Sequence, residues 1–224
     1  MSTPTPALLR LQNLNKHFHI PSNPSPNSNS TSTMRGRLTS KVAVITGSSS
    51  GIGRATALAY AAEGASLVCS DLREEARTEY RTDSSTLTTV QEAEKLGAKA
   101  IYVKCDTTSS ADVEALIQKA VQEFGRVDIM VNNAGIAVES GEHGGRPVWE
   151  YEEAAFTKTL DVNVKGVFLG VKFASRQMKE QEPGPSGDRG WIINLASVFG
   201  LGGAPGSCTL KSLAFFARFF CPSR

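Results

Sequence analysis

The sequence predicts an α/β fold with a doubly wound parallel sheet, on two observations. Short apolar runs alternate along the chain with longer amphipathic segments, and the chemically distinctive motifs sit where the short runs end. The runs are "VAVIT" (42–46), "SLVCSD" (66–71), "AIYVKCD" (100–106), "VDIMVNN" (127–133) and "WIINLAS" (191–197). Each is rich in β-branched residues and apolar at successive positions, the pattern of a strand covered on both faces.

Taken in order, the first run leads through "TGSSSGIG" into the helical segment "RATALAYAAEG". Between the third and fourth runs, Val113, Leu116, Ile117, Ala120, Val121 and Phe124 make one apolar stripe, with Ser109 and Asp112 as a capping signal and Gly125 as a stop. After the fourth run, Val164, Val167, Phe168, Val171, Ala174 and Met178 predict another helix. Strand, helix, strand implies right-handed crossovers and a parallel sheet.

At 224 residues and 40% hydrophobic content the chain is expected to form one domain. Residues 1–40 are read as a disordered tail rich in Ser, Thr, Pro and Asn, 41–207 as the folded domain, and 208–224 as an apolar tail. The first tail is basic and free of acids, leaving 20 basic against 22 acidic residues in the remainder. That balance, with no basic cluster after residue 41, excludes nucleic acid as an expected partner. "ALLRLQNLNKHF" leaves three readings open: a plain extension, a mitochondrial transit helix, or a start upstream of the true one at Met34. The expected compartment is therefore cytoplasmic, with a mitochondrial address as the alternative. No apolar stretch reaches the roughly 18 residues of a membrane span. Cys69, Cys105, Cys208 and Cys221 show no paired spacing and read as free thiols, no metal site is expected, and His143 reads as a loop residue.

The turn "TGSSSGIG" carries the strongest local signal. Gly47 permits a sharp turn, Gly51 permits close approach of backbone to a pyrophosphate, and Gly53 lets the helix lie near the strand. The helix amino terminus offers N–H groups and partial positive charge. Gly47, Ser49, Ser50, Gly51, Ile52 and Gly53 are accordingly candidate phosphate-binding residues, and Asp71, ending the second run, is placed to accept hydrogen bonds from an adenosine ribose. Its charge would repel a 2′-phosphate, so NAD is favoured over NADP. Arg54 and Arg73 keep NADP as the alternative.

"TGSSSGIG", "CDTT" (105–108), "NNAG" (132–135), "VNVKGVF" (162–168) and "IINLASVFG" (192–200) occur in that order, and together they resemble the short-chain dehydrogenase/reductase family from Lys41 to about Ser207. The resemblance implies a Rossmann fold and NAD(P)-dependent interconversion of an alcohol and a ketone by hydride transfer. It implies that Asp106, followed by Thr107, holds the adenine amino group, and that Asn133, Ala134 and Gly135 line the cofactor. It further implies that Ser197 holds the substrate oxygen and that Asn163 fixes a water in a proton relay. Both positions suit such roles: Asn is a poor choice inside a helix, and Ser197 ends the fifth run.

The family's proton donor is a tyrosine with a lysine four residues later, expected near Leu210 and Ala214. The tyrosines are Tyr60, Tyr80, Tyr102 and Tyr151, and Lys211 is preceded at four residues by Ser207. The resemblance thus implies a chain cut short before Tyr-x-x-x-Lys, with the family's last strands and helices missing. Dimers or tetramers are typical of the family and doubtful for this chain. Two readings compete: an oxidoreductase by descent, and a catalytically dead nucleotide binder or partner of full-length subunits. The substrate is unreadable.

Overall fold

The five apolar runs become five strands of one parallel sheet in the computed structural model. It describes residues 36–76, 86–137, 148–185 and 187–197, all within one unit, Arg35–Arg224. Expectations for residues 1–35, for the loop around His143 and for 198–224 lie outside the described residues.

The elements run β1 (Val42–Thr46), α1 (Gly51–Ala62), β2 (Ser66–Asp71), α2 (Thr89–Lys95), β3 (Ala100–Lys104), α3 (Ser110–Phe124) and β4 (Ile129–Asn132). A 3₁₀ turn (Val148–Glu150), α4 (Glu153–Leu160), a π turn (Asp161–Lys165), α5 (Gly166–Glu180) and β5 (Trp191–Asn194) follow. The sheet order is β3-β2-β1-β4-β5, so the chain winds outward from β1 in one direction and then crosses to β4 to wind in the other. Such a reversal leaves a crevice beyond the carboxyl ends of the two central strands, because the flanking helices depart to opposite faces there.

Both faces of β1 are buried. Val44 joins Val68, Leu116, Met130, Leu169 and Phe173 on one side, while Ala43 and Ile45 join Ala57, Leu67, Cys69 and Val131 on the other. The continuous apolar runs of β1, β2 and β4 follow from this double coverage. The edge strands depart from it: on β5, Trp191 and Ile193 stay 42% and 41% exposed.

α3 forms as the periodicity predicts. Asp112 N–H donates to Ser109 Oγ at 3.3 Å, and Gly125 closes the helix at φ 82°. α2 is set by a capping box between Thr88 and Gln91 that the apolar pattern did not reveal. α5 buries Ala174 and Met178 of the expected stripe, but its contact face is completed by Gly166, Leu169, Gly170 and Phe173, and Phe168 is 44% exposed. Small residues set that orientation. A Cβ on Gly170 would stand 1.9 Å from Asn132 Oδ1, so the helix packs onto β4 through a glycine that hydrophobic counting ignores.

Three strands end earlier than their apolar runs, with Cys105, Asp106, Asn133 and Leu195–Ser197 released into loops at the crevice. Residues 36–40, read from composition as tail, form a turn in which Leu38 N–H donates to Glu63 carbonyl at 2.9 Å and Arg37 pairs with Glu63. Composition averaged over a long segment hid Leu38, an apolar residue that packs on the core beside the sheet.

Leu116, fully buried between α3 and the sheet, is the sharpest test of this packing. Leu116→Ala is expected to lower unfolding free energy by about 3 kcal/mol in urea denaturation followed by circular dichroism.

Candidate functional site

A groove of about 1290 Å³ opens at the carboxyl ends of the strands, as the reversal of strand order requires. One wall is the turn from β1 to α1. Gly47 adopts φ 66° and Gly51 φ 54°, conformations that a side chain resists. A Cβ on Gly51 would meet nothing within 4 Å, so this glycine serves open space rather than packing. Gly53 is the opposite case. Its Cβ would lie 2.1 Å from the Gly47 carbonyl oxygen and 2.4 Å from Asn133 Nδ2.

Helix α1 begins here with no side-chain cap from Ser50 and no acidic residue in its first turn. Its amino-terminal dipole therefore faces the groove without a competing carboxylate on the same turn, which favours an anion. Ser50, Gly51 and Ile52 line the groove, and Ile52 is 68% exposed. Ser49 and Gly53 do not line it. The Ser49 hydroxyl instead donates to the Arg73 carbonyl at 2.7 Å, so it fastens the turn to the β2 loop.

The second wall carries two carboxylates. Asp71 accepts from Ser49 N–H at 3.2 Å and from Leu72 N–H at 2.8 Å, and it lines the groove. Tyr102 donates to the Asp71 carbonyl at 2.9 Å; burial first, and then the Asp71 charge, push its hydroxyl up to about 12. Asp106 accepts from the N–H and hydroxyl of Thr108 at 2.9 and 2.8 Å, an Asx turn that fixes the loop after β3. The Asp106 N–H bond, and then the Ser109 hydroxyl, hold the Asp112 carboxyl below its ordinary value. Thr107 abuts the start of α5, where a Cβ on Gly166 would lie 3.0 Å from its hydroxyl.

The third wall is "NNAG". The Asn133 amide donates to the carbonyls of Thr46 and Gly47 at 2.9 and 3.0 Å, while Asn133 and Ala134 N–H both donate to Thr46 Oγ1 at 3.1 Å. Asn132 donates to Asn194 Oδ1 at 2.8 Å, joining β4 to β5. Asn163 sits in the π turn, a rare backbone form that concentrates at functional sites. Its Oδ1 accepts from Ile136 N–H and its Nδ2 donates to the Ile136 carbonyl, both at 2.8 Å. A two-point clasp therefore ties the helix to the loop after β4, and only the tertiary structure reveals Ile136 as the partner.

The groove thus brings together Gly47, Ser50, Gly51, Ile52, Asp71, Asp106, Thr107, Asn133, Ala134, Gly135, Asn163 and Ser197. Ser197 is half-buried. Of the two arginines weighed for a 2′-phosphate, Arg54 is buried and donates to Thr89 at 3.1 Å, and Arg73 is exposed; neither lines the groove. Among the described residues no helix is long and apolar enough to cross a membrane, and no cluster of three metal-ligating side chains occurs.

Residues 41–210 match the sequence model of the family described as short chain dehydrogenase. An uncharacterized oxidoreductase of Thermotoga maritima is 39% identical over 168 residues, 75% of this chain and 58% of that protein. The human 3-hydroxyacyl-CoA dehydrogenase type-2 is 38% identical over 171 residues, 76% of this chain and 61% of that one. The chain therefore spans about three-fifths of the length of these relatives. Among solved structures, NAD+-bound xylitol dehydrogenase superposes with TM-score 0.67 at 29% identity, covering 81% of this chain and 63% of its own. A short-chain type dehydrogenase/reductase from Mycobacterium marinum gives 0.65 at 32% identity, covering 80% and 66%.

Two expected outcomes test this geometry. Asn163→Ala leaves both polar groups of Ile136 without the clasp and is expected to cost about 1 to 3 kcal/mol in urea denaturation. Burial pushes the Cys69 and Cys105 thiols up to about 11 and about 12, above the ordinary 9.0. Since the thiolate is the reactive form, iodoacetamide should label both far more slowly in the native chain at pH 8 than in urea, as read by mass spectrometry. The unfolded chain loses these protons first, so the contribution of the buried thiols to stability declines as pH rises above about 9.

Proposed function

Because the chain belongs to the short-chain dehydrogenase family, a family of NAD(P)-dependent oxidoreductases, we propose that its groove binds NAD in preference to NADP. The observation that carries this reading is the pairing of an uncapped helix end at Gly51 with the Asp71 carboxylate, which lines the same groove and accepts from Ser49 N–H. A pyrophosphate fits the first, because Gly51 leaves the space above the turn open. An unphosphorylated ribose fits the second, because a carboxylate accepts from its hydroxyls and repels a phosphate in their place. Among the described residues that line the groove there is no arginine that would offset that repulsion.

Asp106 and Thr107 would border the adenine, Asn133, Ala134 and Gly135 the middle of the dinucleotide, and Asn163 and Ser197 the reacting end. When bound, the nicotinamide supplies hydride transfer between an alcohol and a ketone. Ser197 would hold the substrate oxygen by hydrogen bond, and Asn163 would keep the loop after β4 fixed beside it. The substrate is proposed as a small alcohol or ketone, in the cytoplasm or, with the basic N-terminal segment read as a leader, in mitochondria.

A second reading rests on the residues after Ser197. Residues 198–224 contain no tyrosine, and Lys211 is preceded at four residues by Ser207. Proton delivery by a positioned group contributes about 10² to 10⁴ in rate. The 224-residue chain is accordingly proposed to bind nucleotide while turning substrate over weakly, alone or as a partner of longer subunits.

Calorimetric titration of the purified chain tests the first reading. NAD is expected to bind more tightly than NADP, and Asp71→Ala is expected to weaken NAD by about tenfold or more while narrowing the difference. Absence of binding by either nucleotide would overturn it. Steady-state assays at 340 nm over a panel of secondary alcohols test the second reading, which efficient turnover would overturn.

A further inference from the structure

We propose that Arg54 and Thr89, neither of which lines the groove, are positioning residues that hold the turn Gly47–Ser50 in its anion-accepting form; this rests on the nucleotide-binding reading above. Arg54 is only 6% exposed and Thr89 only 2%. A guanidinium is costly to bury, so its partners matter. Arg54 Nη1 donates to Thr89 Oγ1 at 3.1 Å, and that hydroxyl donates onward to the Ser48 carbonyl at 2.7 Å.

The consequence lies in one peptide plane. The Ser48 carbonyl is held by Thr89, and the N–H on the other edge of the same peptide, that of Ser49, is held by Asp71 at 3.2 Å. Ser48 itself is anchored to β2, since its N–H and hydroxyl donate to the Ser70 carbonyl at 3.0 and 3.2 Å. Rotation of the Ser48–Ser49 peptide would swing a carbonyl dipole away from Thr89 and break both edges. Carbonyl oxygen facing the groove would repel a pyrophosphate, whereas the observed orientation keeps it turned away.

Arg54 strengthens this hold. Donation from a cation polarises the Thr89 hydroxyl, making it a better donor to Ser48. Thr89 opens α2, immediately after the cap Thr88, so the placement of a helix that does not itself line the groove governs the shape of the turn.

The test uses the full chain, with ADP-ribose affinity by calorimetry and amide hydrogen exchange of a peptide covering residues 47–53. Thr89→Val keeps the volume and removes the relay; it is expected to speed exchange of that peptide and to weaken ADP-ribose by about tenfold, the effect of one or two lost hydrogen bonds. Thr89→Ser is expected to restore both. Arg54→Lys, which keeps the charge and shortens the reach, is the second variant and should weaken ADP-ribose by a smaller factor than Thr89→Val. A merely structural role would lower the melting temperature and leave the affinity of the folded chain and the local exchange unchanged. Affinity and exchange within about twofold of the parent in both Thr89→Val and Arg54→Lys would overturn the proposal. If the parent chain fails to bind ADP-ribose, the nucleotide reading fails on its own account, and the exchange comparison still decides whether the relay holds the turn.

Discussion

The clasp between Thr46 and Asn133 at the carboxyl ends of the two central strands is the constraint on which the groove depends. Strands β1 and β4 are neighbours in the sheet, yet their helices leave toward opposite faces, so the two chains must diverge where the ladder stops. Backbone groups at that divergence lose their sheet partners. The Asn133 amide and the Thr46 hydroxyl replace them, with four hydrogen bonds between 2.9 and 3.1 Å. Such groups would otherwise be stranded in a region shielded from water, at a cost of about 1 to 3 kcal/mol each. The clasp also fixes Gly47 and Gly53, both of which would collide with Asn133 if they carried a Cβ. Backbone stands closer still, since a Cβ on Gly47 would lie 2.8 Å from Ala134 Cα and one on Gly53 2.1 Å from the Gly47 carbonyl oxygen, so both positions require glycine.

From that point the order spreads outward by short polar links rather than by apolar packing. Asn132 reaches Asn194 and so sets β5, the strand that delivers Ser197; Ile136, three residues past Asn133, is gripped by Asn163. The apolar clusters on the two faces of the sheet supply the bulk of the folding free energy, but their contacts tolerate small shifts. Hydrogen bonds at 2.8 Å with two-point geometry tolerate less. The core therefore makes the sheet, and the amide network fixes the positions of the groups that line the crevice.

This division explains how much was legible in the sequence. The strands and α3 carry their signal in periodicity, and residues 41–46 or 110–124 could be placed from apolar spacing and caps alone. The glycine turn was equally plain, since Gly47 and Gly51 occupy backbone conformations that few other residues adopt. What could not be read was direction. Ser49 and Ser50 are chemically identical neighbours, yet one is pulled toward the Arg73 carbonyl and the other faces the groove. Arg54 resembles a phosphate ligand in sequence and is buried against Thr89, at the start of a helix whose signal is a capping box rather than an apolar stripe. The orientation of α5 escaped for a related reason: Gly166 and Gly170 choose its contact face, and hydrophobic periodicity gives glycine no weight.

Asn163 joins these two kinds of information. Its presence inside a helical pattern flagged it as unusual, because Asn competes with the helix for backbone hydrogen bonds. The helix does yield there, widening into the π turn Asp161–Lys165, in which Gly166 N–H reaches back to the Asp161 carbonyl. An amide side chain has two donor hydrogens and two acceptor lone pairs, and the Ile136 clasp uses one of each. One donor and one acceptor therefore remain for a water or a substrate, on a group whose position is already fixed by two bonds to the backbone. Any chemical role of Asn163 is thereby coupled to its structural one, since the bonds that orient it for the groove are the same bonds that hold the loop after β4 in place.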